Sequence, residues 1–296
     1  MGDATGGYRE SQKGAWVSIL SYVILTALKL GAGWWAGSKA LTADGVNNLT
    51  DVIGSVAVLL GLRIAMRPAD DDHRYGHQRA ETVAAVVVAT VMGLVGLDVA
   101  MSAAATVFRP DLQTPHPAAV VVGLGSAAVM SGVYLYNIRL AKATGSKALA
   151  AAAYDNRSDA LTSLGAVAGI IGAQLGWRWT DPVAGVVVAA IIIRTAWHIG
   201  AEAAHALSDG AGSAVTRRFR DEIAGVAGVA SVVEVRARYM GNLLAVDVTI
   251  GVAPHIDVVE AHEICDRVEQ QLRAPGDVQH VHVHVEPYGP RLGALS

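Results

Sequence analysis

Long apolar runs fill the first two thirds of the chain, and shorter runs alternating with polar residues fill the last third. Six apolar stretches can be drawn: Ala15 to Gly37, Ala40 to Met66, Thr82 to Val107, Pro117 to Leu140, Ala153 to Gly176 and Pro182 to Gly200. One bilayer crossing needs about 20 mostly apolar residues, so each stretch is long enough, and the pattern predicts an α-helical six-span transmembrane bundle over residues 15–207. Residues 1–14 are polar and lead straight into the first stretch, with no short apolar core followed by small residues. A removable signal peptide is therefore not expected, and the first helix should stay in the membrane.

From Ser208 the period changes. A helix is predicted near Val215 to Val226, a strand from Val232 to Tyr239, a Gly241-Asn242 turn, a strand from Leu243 to Val252, a helix from Ile256 to Leu272 and a strand from Val278 to Glu286. The two central strands read as a hairpin. The order α-β-β-α-β describes a separate α+β domain over residues 208–296, with a modest core for its size; domains this small commonly pair. In the last strand, His280, His282, His284 and Glu286 fall on one face while Val281, Val283 and Val285 fall on the other.

Composition supports this division. The chain has 296 residues, 52% apolar and only 17% charged, with a mean hydropathy of +0.38. A single cysteine, Cys265, excludes an internal disulfide and a thiolate metal cluster. The formal net charge of −3 argues against nucleic acid as a partner. Basic residues set the orientation: Arg9, Lys13, Arg67, Arg74, Arg79, Lys142 and Lys147 fall on one side of the spans, against Lys39, Arg109 and Arg178 on the other. Both termini are therefore expected in the cytoplasm. Trp34, Trp35, Trp177 and Trp179 fall at span ends assigned to the outer face, where indole favours the interface.

Ionisable groups inside a bilayer cost roughly 2.5–3.5 kcal/mol each even on lenient scales, so they are functional candidates by default. The second span carries Asp44, Asn47 and Asp51, and the fifth carries Asp155 and Asp159. Asn47 and Asp51 are four residues apart, as are Asp155 and Asp159, so each pair shares one helix face. Two helices each presenting two oxygen ligands would enclose a cation whose charge offsets the acids. The alternative is that the acids cap helices or pair within the bundle, with Lys29, Arg157 and Asp98 as the other charges in play. Asp44 could cap the second span near the outer face, and Asp98 has no assigned role. An oxygen-only set without imidazole or thiolate suits Mn²⁺ better than zinc, with Fe²⁺ and Co²⁺ also open. Nine glycines in the spans, Gly31, Gly33, Gly54, Gly61, Gly93, Gly96, Gly165, Gly169 and Gly172, permit close helix approach.

The stretch Ala43 to Ser55, the loop His-Arg-Tyr-Gly-His-Gln-Arg-Ala-Glu from His73 to Glu81, and the Asp-Asn-Arg-Ser-Asp of the fifth span together resemble the cation diffusion facilitator family. The resemblance extends over nearly the whole chain. It implies six helices, a ferredoxin-like cytoplasmic domain, a homodimer, and export of divalent metal in exchange for protons. It also implies a transport site at Asn47, Asp51, Asp155 and Asp159. Zinc members usually carry histidine in that set, and its absence here looks like the manganese-exporting branch. The resemblance further implies a loop metal site at Asp70, His73 and His77, and a cytoplasmic-domain site drawing on His262, His284 and Glu286. Ala230 and Thr249 stand where that last site has two further histidines.

The expected activity is export of Mn²⁺, with Zn²⁺, Fe²⁺ or Co²⁺ as alternative substrates and protons as counter-substrate, across a cell membrane whose organism the residues do not identify. Protons would compete for the carboxylates once the metal has left. Asn47 does not titrate, which leaves three ligands able to carry protons. A reading of another class, an intramembrane aspartyl hydrolase using Tyr154-Asp155, lacks a Gly-x-Gly-Asp partner motif. A metal sensor that transports nothing would not need the acids of the second and fifth spans.

Overall fold

The computed structural model describes residues 3–108, 113–144, 147–241 and 243–289. Arg109 of the expected outer loop and Asn242 of the expected hairpin turn lie outside the described residues. Six long helices come first: α1 (Asp3–Ala36), α2 (Lys39–Ala65), α3 (Arg79–Val107), α4 (Ala118–Thr144), α5 (Lys147–Gln174) and α6 (Thr180–Leu207). The shortest, at 27 residues, rises roughly 40 Å at 1.5 Å per residue, more than the hydrocarbon core requires. Among the described residues four segments are long and apolar enough to cross a membrane: Trp16–Ala36, Arg79–Val107, Ala118–Ala143 and Thr180–Leu207. These lie in α1, α3, α4 and α6. α2 and α5 match them in length and carry the acidic and amide side chains.

The chain divides into two compact units, residues 1–57 with 87–199 and residues 58–86 with 200–296. In the first, small buried residues let the helices approach. Ala40, Leu41, Ala119, Ala166 and Ile170 form one buried cluster. Ala43, Val188 and Ile192 form another. A Cβ on Gly169 would lie 2.4 Å from the Ala184 side chain, and one on Gly33 would lie 2.6 Å from Thr42 Oγ1. Those two glycines are therefore required by packing, whereas Gly31 and Gly165 face open space. Large apolar side chains such as Leu20, Leu94, Val121 and Trp197 point outward. An apolar exterior around small buried residues is what a lipid solvent selects.

One end of this unit is tied by Asp181 at the start of α6. Its Oδ1 accepts from Ser38 Oγ at 2.5 Å and its Oδ2 accepts from the Lys39 backbone N–H at 2.7 Å. The Ala40 N–H also points to Oδ1, at 3.4 Å. The first amides of a helix have no partners within it, so Ser38 Oγ caps α2 by accepting from the Leu41 N–H at 3.0 Å and the acid from α6 takes the Lys39 and Ala40 amides. Asp44, considered above for that role, is deeper in the helix and pairs elsewhere. Near the same end the Trp35 ring lies 4.8 Å from that of His116. Trp34, Trp35, Trp177 and Trp179 are all exposed.

In the second unit, α7 (Ser213–Ala224), β1 (Ser231–Met240), β2 (Leu243–Val252), α8 (Val258–Arg273) and β3 (Val278–Pro287) follow the expected α-β-β-α-β order. β1 pairs antiparallel with β2, and β2 pairs parallel with β3, so β2 is central. Met240 sits opposite Leu243, and Gly241 has φ +63, a conformation that needs glycine or asparagine. Alternation sorts β2: Val246, Val248 and Ile250 are buried, while Asp247 and Thr249 lie on the other face, half-buried. Phe219 and Ile223 of α7 and Ile264, Val268 and Leu272 of α8 complete this core. Apolar residues at i, i+4 and i+8 give α8 its single buried stripe, and Asp257 caps it by accepting from the Glu260 N–H.

Candidate metal centre

Helix α2 positions Asn47 and Asp51 one turn apart, and α5 does the same for Asp155 and Asp159. Asn47 and Asp159 are nearly buried, at 8% and 7% exposure, and they meet: Asn47 Nδ2 donates to Asp159 Oδ1 at 3.1 Å. That bond joins α2 to α5 and leaves the Asn47 carbonyl oxygen as the atom the amide can offer a cation. Asp51 is half-buried, and its Oδ2 is a buried oxygen with no hydrogen-bond partner. A buried, unpartnered carboxylate oxygen is costly unless something positive approaches it. Asp155, one turn before Asp159, is exposed. The structure thus brings Asn47 and Asp159 together and leaves Asp155 at the surface of the chain.

Charges around this set are accounted for locally. Lys29 of α1 and Asp44 of α2 are both fully buried and form an ion pair, with Nζ 2.9 Å from Oδ2. Lys29 also donates to Ser163 Oγ at 2.9 Å. Of the pairings weighed from sequence, this is the one the described residues display, while Asp98 and Arg157 are exposed. Tyr22 of α1, which sequence reasoning did not single out, donates its hydroxyl to Asp159 Oδ2 at 2.5 Å. The spacing Tyr22, Thr26, Lys29 was the available signal, since polar groups at i, i+4 and i+7 in an apolar helix share one face. A further buried polar group joins three helices: Asn137 of α4 and Asn156 of α5 both donate to Ser18 Oγ of α1, at 2.8 and 3.2 Å.

In the second unit, Asp70, His73 and His77 converge, with one ligand atom from each lying within 4.8 Å of the others. Asp70 Oδ1 accepts from the backbone N–H groups of Asp72 at 3.1 Å and His73 at 2.7 Å, which shapes the turn. The His73 N–H holds the Asp70 carboxyl below its ordinary range. Two imidazoles and a carboxylate are competent to bind a transition metal. His262, His284 and Glu286 are not brought together within one chain. His262 is on the solvent side of α8, 3.9 Å from Asp266, and His284 is exposed beside Thr249 in the sheet. His280 and His282 are exposed on the same strand, while Val281 is buried and Val283 and Val285 pack against the core.

Comparison with known proteins shows the family of the chain. Residues 15–213 match the family model described as the cation efflux transmembrane domain, and residues 201–288 match the cation efflux protein cytoplasmic domain. The chain is 43% identical over 285 residues to the uncharacterized transporter YdbO of Bacillus subtilis, covering 96% of this chain and 98% of that protein. It is 42% identical over 279 residues to the manganese efflux system protein MneS of the same organism, covering 94% and 96%. Magnetosome protein MamM of Paramagnetospirillum magneticum is 33% identical over 258 residues, covering 86% and 81%. Members of this family are transporters, which removes the hydrolase reading. With a helical membrane domain followed by a cytoplasmic domain, the chain belongs to the cation efflux, or cation diffusion facilitator, family of cation transporters.

Proposed function

We propose that this transporter exports Mn²⁺ from the cytoplasm in exchange for protons, binding the ion at Asn47, Asp51, Asp155 and Asp159. The observation that carries this reading is the Asn47 to Asp159 hydrogen bond across α2 and α5, beside the unpartnered Asp51 Oδ2. Every ligand atom is oxygen, which suits Mn²⁺ over a tetrahedral zinc preference for nitrogen and sulfur. The similarity to MneS, a manganese efflux protein, supports the same ion. In this reading all six long helices cross the membrane, residues 15–207 form the bilayer domain and 208–296 the cytoplasmic one. Both termini face the cytoplasm of a cell whose plasma membrane holds a homodimer.

Binding proceeds by exchange of partners. A dehydrated cation takes the Asp159 oxygen now held by the Asn47 amide, the amide turns its carbonyl oxygen inward, and Asp51 and Asp155 close the shell. Once the site opens outward, protons compete with the metal for the three carboxylates. The triad of Asp70, His73 and His77 is a second, cytoplasmic metal site. His262, His284 and Glu286 require the second protomer to form a third.

The test is uptake of Mn²⁺ and Zn²⁺, separately, into inverted vesicles with an imposed pH gradient, comparing the wild type with Asn47→His. Faster Mn²⁺ uptake by the wild type and a shift toward Zn²⁺ in the variant are expected. A wild-type preference for Zn²⁺ would replace manganese as the substrate, and Mn²⁺ uptake that neither responds to the pH gradient nor moves protons would remove the proton exchange.

A further inference from the structure

Asp159 is held from a third helix that contributes no ligand. Both of its oxygens are engaged: Oδ1 accepts from Asn47 Nδ2 at 3.1 Å and Oδ2 accepts from the Tyr22 hydroxyl at 2.5 Å. The two donors differ in kind. Asn47 is itself a ligand in the reading above, so its amide must turn when a cation arrives, and its bond to Oδ1 breaks. Tyr22 has no such duty. Its ring packs against the buried cluster of Leu25, Met130 and Ala160, contributed by α1, α4 and α5. A phenol held by packing on one side and a hydrogen bond on the other has a fixed position, which is how a supporting residue orients a ligand.

We infer that Tyr22 is a positioning residue that retains Asp159 Oδ2, so that the carboxylate offers the transported cation Oδ1 alone. The inference rests on the four-ligand reading of the transport site. Its consequence is selectivity. Ca²⁺ takes six to eight oxygens at 2.3–2.6 Å and readily uses both oxygens of one carboxylate, whereas smaller divalent ions accept fewer ligands in tighter geometry. A one-oxygen Asp159 withholds a ligand that Ca²⁺ would use. Tyr22 therefore favours Mn²⁺ over Ca²⁺ without touching either ion.

The experiment measures Mn²⁺ transport, with and without competing Ca²⁺, by the full-length protein in reconstituted vesicles, for the wild type, Tyr22→Phe and Asp159→Ala. Tyr22→Phe removes one hydroxyl and keeps the ring in its packing. We expect KM for Mn²⁺ to rise about tenfold or more, as loss of a ligand-orienting partner does. The maximal rate should be largely kept, and Ca²⁺ should become an effective competitor. A packing role alone would lower the amount of active transporter and leave KM and the Ca²⁺ discrimination unchanged. That result, with Asp159→Ala inactive, overturns the role of Tyr22 and leaves the site standing. Wild-type transport by a well-folded Asp159→Ala overturns the four-ligand site and the inference with it.

Discussion

Lys29 and Asp44 face each other at 2.9 Å with no solvent exposure on either side chain, joining α1 to α2. Removing one member of a buried pair leaves an uncompensated charge and costs about 3–5 kcal/mol, while an apolar replacement of both is often neutral. Lys29→Met and Asp44→Leu should each lower the thermal unfolding midpoint of the purified protein strongly. The double substitution should recover most of the loss. Single and double variants that unfold together with the wild type would show that the pair contributes nothing to stability.

The Asp159 carboxylate takes part in the Asn47 and Tyr22 hydrogen bonds. Asp159→Ala is expected to abolish Mn²⁺ export while keeping a wild-type elution profile in detergent. Asp98→Asn, on the exposed surface of α3, should transport normally. Flux in vesicles loaded with Mn²⁺ reads both variants directly.

Asp181 receives three donors from the start of α2 and is buried. Hydrogen bonds to a charged group contribute about 1.5–3 kcal/mol each, and the buried donors left behind add a penalty. Asp181→Ala should therefore destabilise the helical unit by roughly 2–5 kcal/mol, seen as a lowered unfolding midpoint in a matched detergent series. Asp181→Asn, which keeps an acceptor, should lose less.

In the loop between α2 and α3 the Asp70 carboxyl is depressed, chiefly by the His73 backbone N–H. A depressed acid contributes above its unfolded value, about 3.9, and loses that contribution only as pH falls through its lower folded value. The Asp70 carboxyl carbon resonance should therefore titrate at a lower pH than the ordinary aspartate value of about 3.9. Titration of the full-length protein with Zn²⁺ should show one site that weakens in Asp70→Ala and again in His77→Ala. An Asp70→Ala variant that binds as tightly as the wild type would take Asp70 out of the loop site.

Much of this molecule could be read along the chain because its signals are local. Six helices follow from runs of apolar residues, and the α-β-β-α-β order follows from a change of period near residue 208. Boundaries moved by a few residues, as for α5, which begins at Lys147 where the apolar run suggested Ala153. Helix continuation through polar termini costs little in hydropathy and is invisible to it. Asn47, Asp51, Asp155 and Asp159 were legible as one-turn pairs because a charge in an apolar run stands out, and spacing of four defines a face.

Partners across helices were not legible in that way. Sequence marked Asp44 as a cap or a paired acid without choosing between them, and packing settled it by placing Lys29 against Asp44 and Asp181 at the amides of α2. Tyr22 drew no attention as one aromatic in an apolar run until folding set its hydroxyl on Asp159. Periodicity determines which side chains share a face of their own helix, because that is fixed by 3.6 residues per turn. Which face meets which neighbour depends on the rotation and depth of whole helices. Those are decided by long-range packing, such as Gly169 against Ala184, which no local pattern encodes.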